Sequence, residues 1–155
     1  MWTTAKKFNK TKKFCISKNY IEYADFDNIN EIIDIIKVAK TNYNELICRN
    51  DCVKPYFDIE SLKPFNIDYI IYTIKSIFYD ISGIKLSDNQ IYILCCNRHI
   101  KEEFKMSYHV IIDGYHFDNQ LGAKCFAKYI NEFHKEVDIN VYSNGLSKYK
   151  NVKLC

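Results

Sequence analysis

The sequence predicts an α+β fold in which amphipathic helices pack on a sheet. Strand-like apolar runs alternate with segments whose apolar residues recur at helical spacing, and this interleaving is typical of a layered sheet covered by helices. Of the 155 residues, 48% are hydrophobic, only four are Gly and only two are Pro. Such a composition favours a folded chain with a sizeable core. We therefore expect a single domain over 1–155.

Three helices are predicted, at 28–40, 65–81 and 119–135. The first should begin at Asn28, because Asn28 followed three residues later by Glu31 is a variant of the capping box. The second should end at Gly83, since glycine readily adopts the left-handed conformation that terminates helices.

Six strand-like runs separate these helices: KKFCIS (12–17), NELICR (44–49), VKPYFDIE (53–60), QIYILCC (90–96), KMSYHVII (105–112) and VDINVY (137–142). From the third run onward the order is strand, helix, strand, strand, helix, strand. This βαββαβ order is that of ferredoxin-like and RRM-like sheets. The residues before it are expected to add an N-terminal α/β portion.

Carboxylates stand on one face of two of these predicted strands. Asp58 and Glu60 share a face of the third run because side chains alternate along a strand, and Asp138 lies on the polar face of the last run. Neighbouring carboxylates repel each other unless a cation lies between them, and three hard oxygen donors suit Mg²⁺ or Mn²⁺. We therefore predict a divalent-metal site at Asp58, Glu60 and Asp138.

The fifth run, KMSYHVII, combines hydrogen-bond donors on one face with apolar residues on the other. Lys105, Ser107 and His109 share the polar face, and they can supply positive charge and donors to a triphosphate. The opposite face is assigned to the core: Met106, Tyr108, Val110 and Ile112. Together with a metal, this equipment indicates phosphoryl or nucleotidyl transfer.

YFDIE, KMSYHVII and VDINVY together resemble the three motifs of archaeo-eukaryotic primases, which are DxD/E, SxH and an apolar residue followed by Asp. The three segments are most similar to those of the primase modules of large DNA viruses and of primase-polymerases, and the resemblance covers 49–155. It implies the primase fold. It also implies catalytic metal ligands at Asp58, Glu60 and Asp138, and nucleotide phosphate contacts at Ser107 and His109, with Lys105.

The activity implied by this resemblance is the joining of nucleoside triphosphates on a single-stranded DNA template, with two divalent metals, in viral DNA replication. A helicase domain or subunit is an implied partner. Beyond VDINVY the family usually continues into an Arg-Leu segment, whereas this chain has Lys153 before Leu154. Lys153 is therefore the expected substitute contact for the nucleotide, and the domain is expected to be incomplete at its C-terminus.

Basic residues predict the nucleic-acid surface. Six lysines fall within the first 18 residues before any acidic residue, which makes 1–20 a basic arm suited to phosphate backbone. Contacts with nucleic acid are expected at Lys12, Lys13, Lys54 and Arg98. No apolar run reaches the roughly 18 residues of a membrane span and no signal-peptide pattern is present, so an intracellular location without membrane contact is expected.

Two other interpretations remain open. A 3′–5′ exonuclease of the DEDD type also has FDIE on a strand, and it would recruit Asp118 and Asp138, but it has no role for the SYH of KMSYHVII. A non-catalytic RRM-like module, or a primase domain that has lost activity, would bind nucleic acid through exposed aromatic residues such as Tyr56 and Tyr142.

Overall fold

The computed structural model describes residues 2–4, 14–19, 21–39, 41, 43–48, 51–142 and 149–153. The chain divides into two compact units, one formed by Met1–Arg49 with Gly145–Cys155 and the other by Asn50–Asn144. Each unit contains an antiparallel sheet, and three α-helices lie within the described residues. The predicted α+β class is confirmed. No described helix has the length and apolar character needed to cross a membrane.

The strands, in chain order, are β1 (Thr3–Thr4), β2 (Phe14–Lys18), β3 (Glu22–Phe26), β4 (Tyr43–Cys48), β5 (Tyr56–Ser61), β6 (Ile91–Cys95), β7 (Arg98–Ile100), β8 (Glu103–Ile112) and β9 (Tyr149–Lys153). The helices are α1 (Ile29–Val38), α2 (Ile67–Ser82) and α3 (Gln120–Phe133). Two short 3-10 helices cover Asp88–Gln90 and Ile139–Tyr142. All three predicted helices are present, each shorter at its N-terminus than the sequence pattern indicated.

The first unit contains a five-stranded sheet in the order β1-β3-β2-β4-β9, with α1 between β3 and β4 in the chain. Asn28 precedes α1, and its side-chain oxygen accepts the N–H of Asn30 at 2.9 Å, which confirms the predicted N-cap. The core of this first unit includes Ile16, Ala24 and Ile32, each at most 3% exposed.

The second unit is built around β8, the longest of the described strands. β5 pairs with one side of β8, while β6 and then β7 pair with the other side. At the outer side of β5, Val137 forms an isolated antiparallel bridge with Ile59. The sheet therefore runs from Val137 through β5 and β8 to β6, and every neighbouring pair is antiparallel.

The helices α2 and α3 supply most of the buried hydrophobic side chains of the second unit. Gly83 ends α2 as predicted. Gly83 has φ +69° and its N–H donates to the Tyr79 carbonyl at 2.7 Å. A β-carbon would strain that left-handed conformation. The buried hydrophobic residues of β5 and β8 are Phe57, Ile59, Val110 and Ile112, each at most 1% exposed.

The predicted strand at 137–142 is wrong. Only Val137 bridges to another strand, and Ile139–Tyr142 forms a 3-10 helix. The cause lies at Asp138, whose Oδ1 accepts the backbone N–H of Asn140 at 2.7 Å. Such a local side-chain bond offers the backbone an alternative to a strand ladder.

Candidate functional site

β5 and β8 pair in a register that brings the first two sequence motifs together. Asp58 is opposite His109, and Glu60 is opposite Ser107; directly paired residues of an antiparallel sheet have their side chains on the same face. We call this surface the site face. The strand pairings assign to it residues from β5, β6, β7 and β8: Tyr56, Asp58, Glu60, Tyr92, Leu94, Arg98, Lys105, Ser107, His109 and Ile111.

Asp58 has an unsatisfied carboxylate oxygen in this face. Its side chain is only 20% exposed, and its Oδ1 is buried with no hydrogen-bond partner; His109 Nε2 lies 3.6 Å from this oxygen. Burial, and then the nearby charges of Glu60 and Asp138, raise the pKa of Asp58 to about 6, against the opposing effect of Lys105 and Arg98. Asp58 therefore lies in the field of the two other predicted metal ligands.

Glu60 forms an ion pair with Lys105, whose Nζ contacts Glu60 Oε2. The Lys105 side chain is 17% exposed and that of Glu60 34%, so water screens this pair less than it would a surface pair. Arg98 lies opposite Lys105 in the β7–β8 ladder. The site face thus ends in two adjacent cations.

Asp138 reaches the same region from a turn. Val137 is bridged to Ile59, and the Asp138 N–H donates to the Asp58 carbonyl at 2.8 Å. Glu60 and Asp138 both line an open polar depression of about 350 Å³, whose remaining lining residues include Asn131, Lys135 and Asn140. All three predicted carboxylates therefore belong to one neighbourhood.

The carboxylate oxygens of Asp58, Glu60 and Asp138 are chemically suited to a divalent cation, but they are not prearranged as a metal-binding site. Throughout the described part of the chain, no group of three His, Cys, Asp or Glu side chains is arranged to hold a metal ion. Asp58 nevertheless offers an unsatisfied buried oxygen beside two other carboxylates, which are the hard donors that Mg²⁺ and Mn²⁺ prefer. Lys105 supplies the positive charge next to Glu60.

Ser107 and His109 are buried rather than solvated, at 2% and 6% exposure. The His109 ring packs on the Tyr56 ring with centroids 5.6 Å apart, and its Nδ1 is 4.0 Å from Cys96 Sγ. On the opposite face, Val110 and Ile112 are buried as predicted, whereas Met106 and Tyr108 are half-buried. β8 is thus covered on both faces at its centre.

Asn97 is a site residue that the sequence analysis missed. Its Oδ1 accepts the Ser107 N–H at 2.7 Å, and its Nδ2 donates to the Tyr108 hydroxyl at 3.3 Å. The Ser107 carbonyl accepts the Cys96 N–H at 2.7 Å. The available signal was the amide residue between the apolar run QIYILCC and Arg98.

The remaining predicted contacts either are not part of the site face or lie outside the described residues. Lys54 precedes β5 and forms an exposed ion pair with Asp113. Lys153 is the last residue of β9, in the other unit. Lys12 and Lys13 lie outside the described residues.

No protein-family model matches the chain, and no curated protein sequence matches it at a significant level.

Proposed function

We propose that this protein is a metal-dependent nucleotidyltransferase of the primase type, which joins nucleoside triphosphates on a single-stranded DNA template. The observation that carries the proposal is the pairing of Asp58 with His109 and of Glu60 with Ser107. Two motifs nearly 50 residues apart in the chain thereby share one sheet face, and the Asp138 N–H is bonded to the Asp58 carbonyl. A face with carboxylates beside phosphate-binding donors is suited to phosphoryl chemistry.

The sheet order supports the primase-like, RRM-like version of the α+β fold. Val137, β5, β8 and β6 follow one another across the sheet, with α2 and α3 as the two connections within the βαββαβ order. In such a sheet the first and third strands are central neighbours. These are β5 and β8, the strands that carry the DxE and SxH motifs.

The residues have distinct roles in the proposed reaction. Asp58, Glu60 and Asp138 would hold the divalent metals, which supply activation of the attacking hydroxyl and stabilisation of charge on the transferring phosphate. Ser107, His109 and Lys105 orient the triphosphate through donated hydrogen bonds and charge. The Lys105 ammonium contacts Glu60, and it would be available to the phosphates if Glu60 held a metal.

A non-catalytic nucleic-acid-binding module is the second candidate. The observation that favours it is the lack of a ready-made metal cage among the described residues, together with the Lys105–Glu60 ion pair. The exonuclease alternative has less support: Asp118 follows Phe117, which bridges Val53 ahead of β5, whereas Asp58 and Glu60 are the third and fifth residues of that strand.

Primer synthesis on a single-stranded template tests the proposal. The wild-type protein with Mn²⁺ should produce labelled primers, and Asp58→Ala and His109→Ala should each reduce product by about 100-fold or more. Asp88→Ala is the matched control, because Asp88 forms an ion pair with Lys75 outside the site face; it should retain wild-type activity. Equal product from wild type, Asp58→Ala and His109→Ala would overturn the proposal.

EDTA separates the two candidates. A primase should lose synthesis and most nucleotide binding when the metal is removed, whereas a binding module should hold single-stranded DNA equally well with EDTA and with Mg²⁺. An exonuclease would instead shorten a labelled single strand in the same gel.

A further inference from the structure

The site face continues beyond the carboxylates onto an exposed apolar area of β6. Leu94 is opposite His109 in the β6–β8 ladder, and Tyr92 is opposite Ile111. Tyr92 is 53% exposed and Leu94 44%, although both lie on the face that holds the buried His109. A large aromatic and a large aliphatic side chain next to a polar site form a contact area for an apolar ligand group.

We infer that Tyr92 and Leu94 bind the base of the nucleotide whose triphosphate lies at Lys105 and Arg98. The inference rests on the proposed function and adds the direction in which the nucleotide lies on the sheet. Its occupant is the nucleobase, because an aromatic side chain stacks on the flat face of any base.

The charge distribution along β8 supports this direction. Lys105, with Arg98 opposite, marks the cationic end, followed by Ser107 and His109, and then by Ile111 opposite Tyr92. Ile111 lies six residue steps beyond Lys105 along the strand, a distance of about 20 Å. Phosphates are attracted to the cationic end, and the end at Tyr92 and Ile111 offers an uncharged surface. A nucleotide bound in the opposite direction would put its phosphates against apolar side chains.

The chemistry of this area also predicts weak base selectivity. Leu94 and Ile111 carry no hydrogen-bonding groups, so of these three side chains only Tyr92 could donate a hydrogen bond to a base edge. Stacking depends on the π-face that every base has. We therefore expect the four nucleoside triphosphates to bind with similar affinity, which suits an enzyme that copies any template base.

Calorimetric binding of ATP and of inorganic tripolyphosphate, each with Mn²⁺, tests the inference. Tyr92→Ala should weaken ATP binding about tenfold and leave tripolyphosphate binding unchanged, whereas Tyr92→Phe should bind both as the wild type does. Lys105→Ala should weaken both ligands. Tyr72→Ala is the matched control, because Tyr72 is 68% exposed on α2, outside the site face; it should change neither affinity.

Each other outcome has a defined meaning. If Tyr92→Ala binds ATP as tightly as the wild type while Lys105→Ala is weakened, the base does not lie at Tyr92 and the inference falls while the proposed function stands. Equal weakening of ATP and tripolyphosphate by Tyr92→Ala would also overturn it, since Tyr92 would then act on the fold. If the wild type binds neither ligand, the proposed function fails and the inference fails with it.

Discussion

Asp58 combines three features that each oppose its ionisation. Its side chain is mostly buried, its Oδ1 has no hydrogen-bond partner, and the charges of Glu60 and Asp138 act on it. A buried polar atom without a partner destabilises the folded state. The arrangement is therefore better suited to a ligand that supplies positive charge than to stability of the free protein, a pattern expected at functional sites.

Asp58→Asn should stabilise the protein at neutral pH. The pKa of Asp58 is raised from 3.8 to about 6, so the folded state binds this proton more tightly than the unfolded state. The stability gained from that proton is present below pH 3.8 and is lost as the pH rises through about 6. The shift corresponds to about 3 kcal/mol at most; solvent screening reduces the expected gain for Asp58→Asn to about 1–2 kcal/mol above pH 7.

Urea unfolding of both proteins between about pH 4 and pH 8 measures this effect. The difference between Asp58→Asn and the wild type should be largest at the alkaline end and should vanish toward pH 4. Asp88→Asn is a control of opposite sign, because the hydrogen bond and charge of Lys75 lower the pKa of Asp88. A stability difference for Asp58→Asn that does not vary with pH would contradict the raised pKa.

The strand that pairs with one side of β8 changes from β6 to β7 in the middle of the candidate site. Its C-terminal half pairs with β6 and its N-terminal end with β7, and Cys96 and Asn97 lie between those two strands. At the junction the Asn97 side chain takes the place of a ladder carbonyl for the Ser107 N–H. The Asn97 side chain therefore completes the hydrogen bonding of the strand segment that carries Ser107 and His109, on the side away from β5.

Asn97→Ala should lower the free energy of unfolding by about 1–2 kcal/mol, because it leaves the N–H of Ser107 without its acceptor. Tyr108→Phe removes only the other bond of Asn97, the longer one of 3.3 Å, and should have a smaller effect. Chemical denaturation of the two variants and the wild type measures both values. Equal losses for the two variants would show that the bond to Ser107 is not the important one.

The sequence predicted the elements whose pattern is decided locally. Alternation placed Asp58 with Glu60 and Ser107 with His109 on one face of each strand, and the register of β5 and β8 agrees with it. Alternation cannot show what covers a face, so the burial of Ser107 and His109 was not foreseen. The strand predicted around Asp138 failed because a side-chain bond to the Asn140 N–H turns the backbone there.

The buried side chains that the structure describes lie mainly in the unit Asn50–Asn144. Among the described residues, 20 hydrophobic side chains are buried, and all but four of them (Cys15, Ile16, Ala24 and Ile32) belong to the unit Asn50–Asn144. That unit also contains the site face and Asp138. Buried apolar area is the main source of folding free energy, so the unit that contains the candidate site has a buried core of its own.

The segment Asn50–Asn144, produced alone, should therefore fold and keep the site. We expect a cooperative urea transition with a smaller denaturant dependence than that of the whole chain, since less surface is exposed on unfolding. Met1–Arg49 alone should show no cooperative transition, because it lacks β9, the partner of β4. ATP affinity of Asn50–Asn144 in Mn²⁺ should match that of the whole chain, because Asp58, Lys105 and Tyr92 all lie within it. A segment that folds but binds ATP far more weakly would contradict the assignment of the nucleotide site to Asn50–Asn144. A segment without a cooperative transition would mean that its buried core does not suffice for folding.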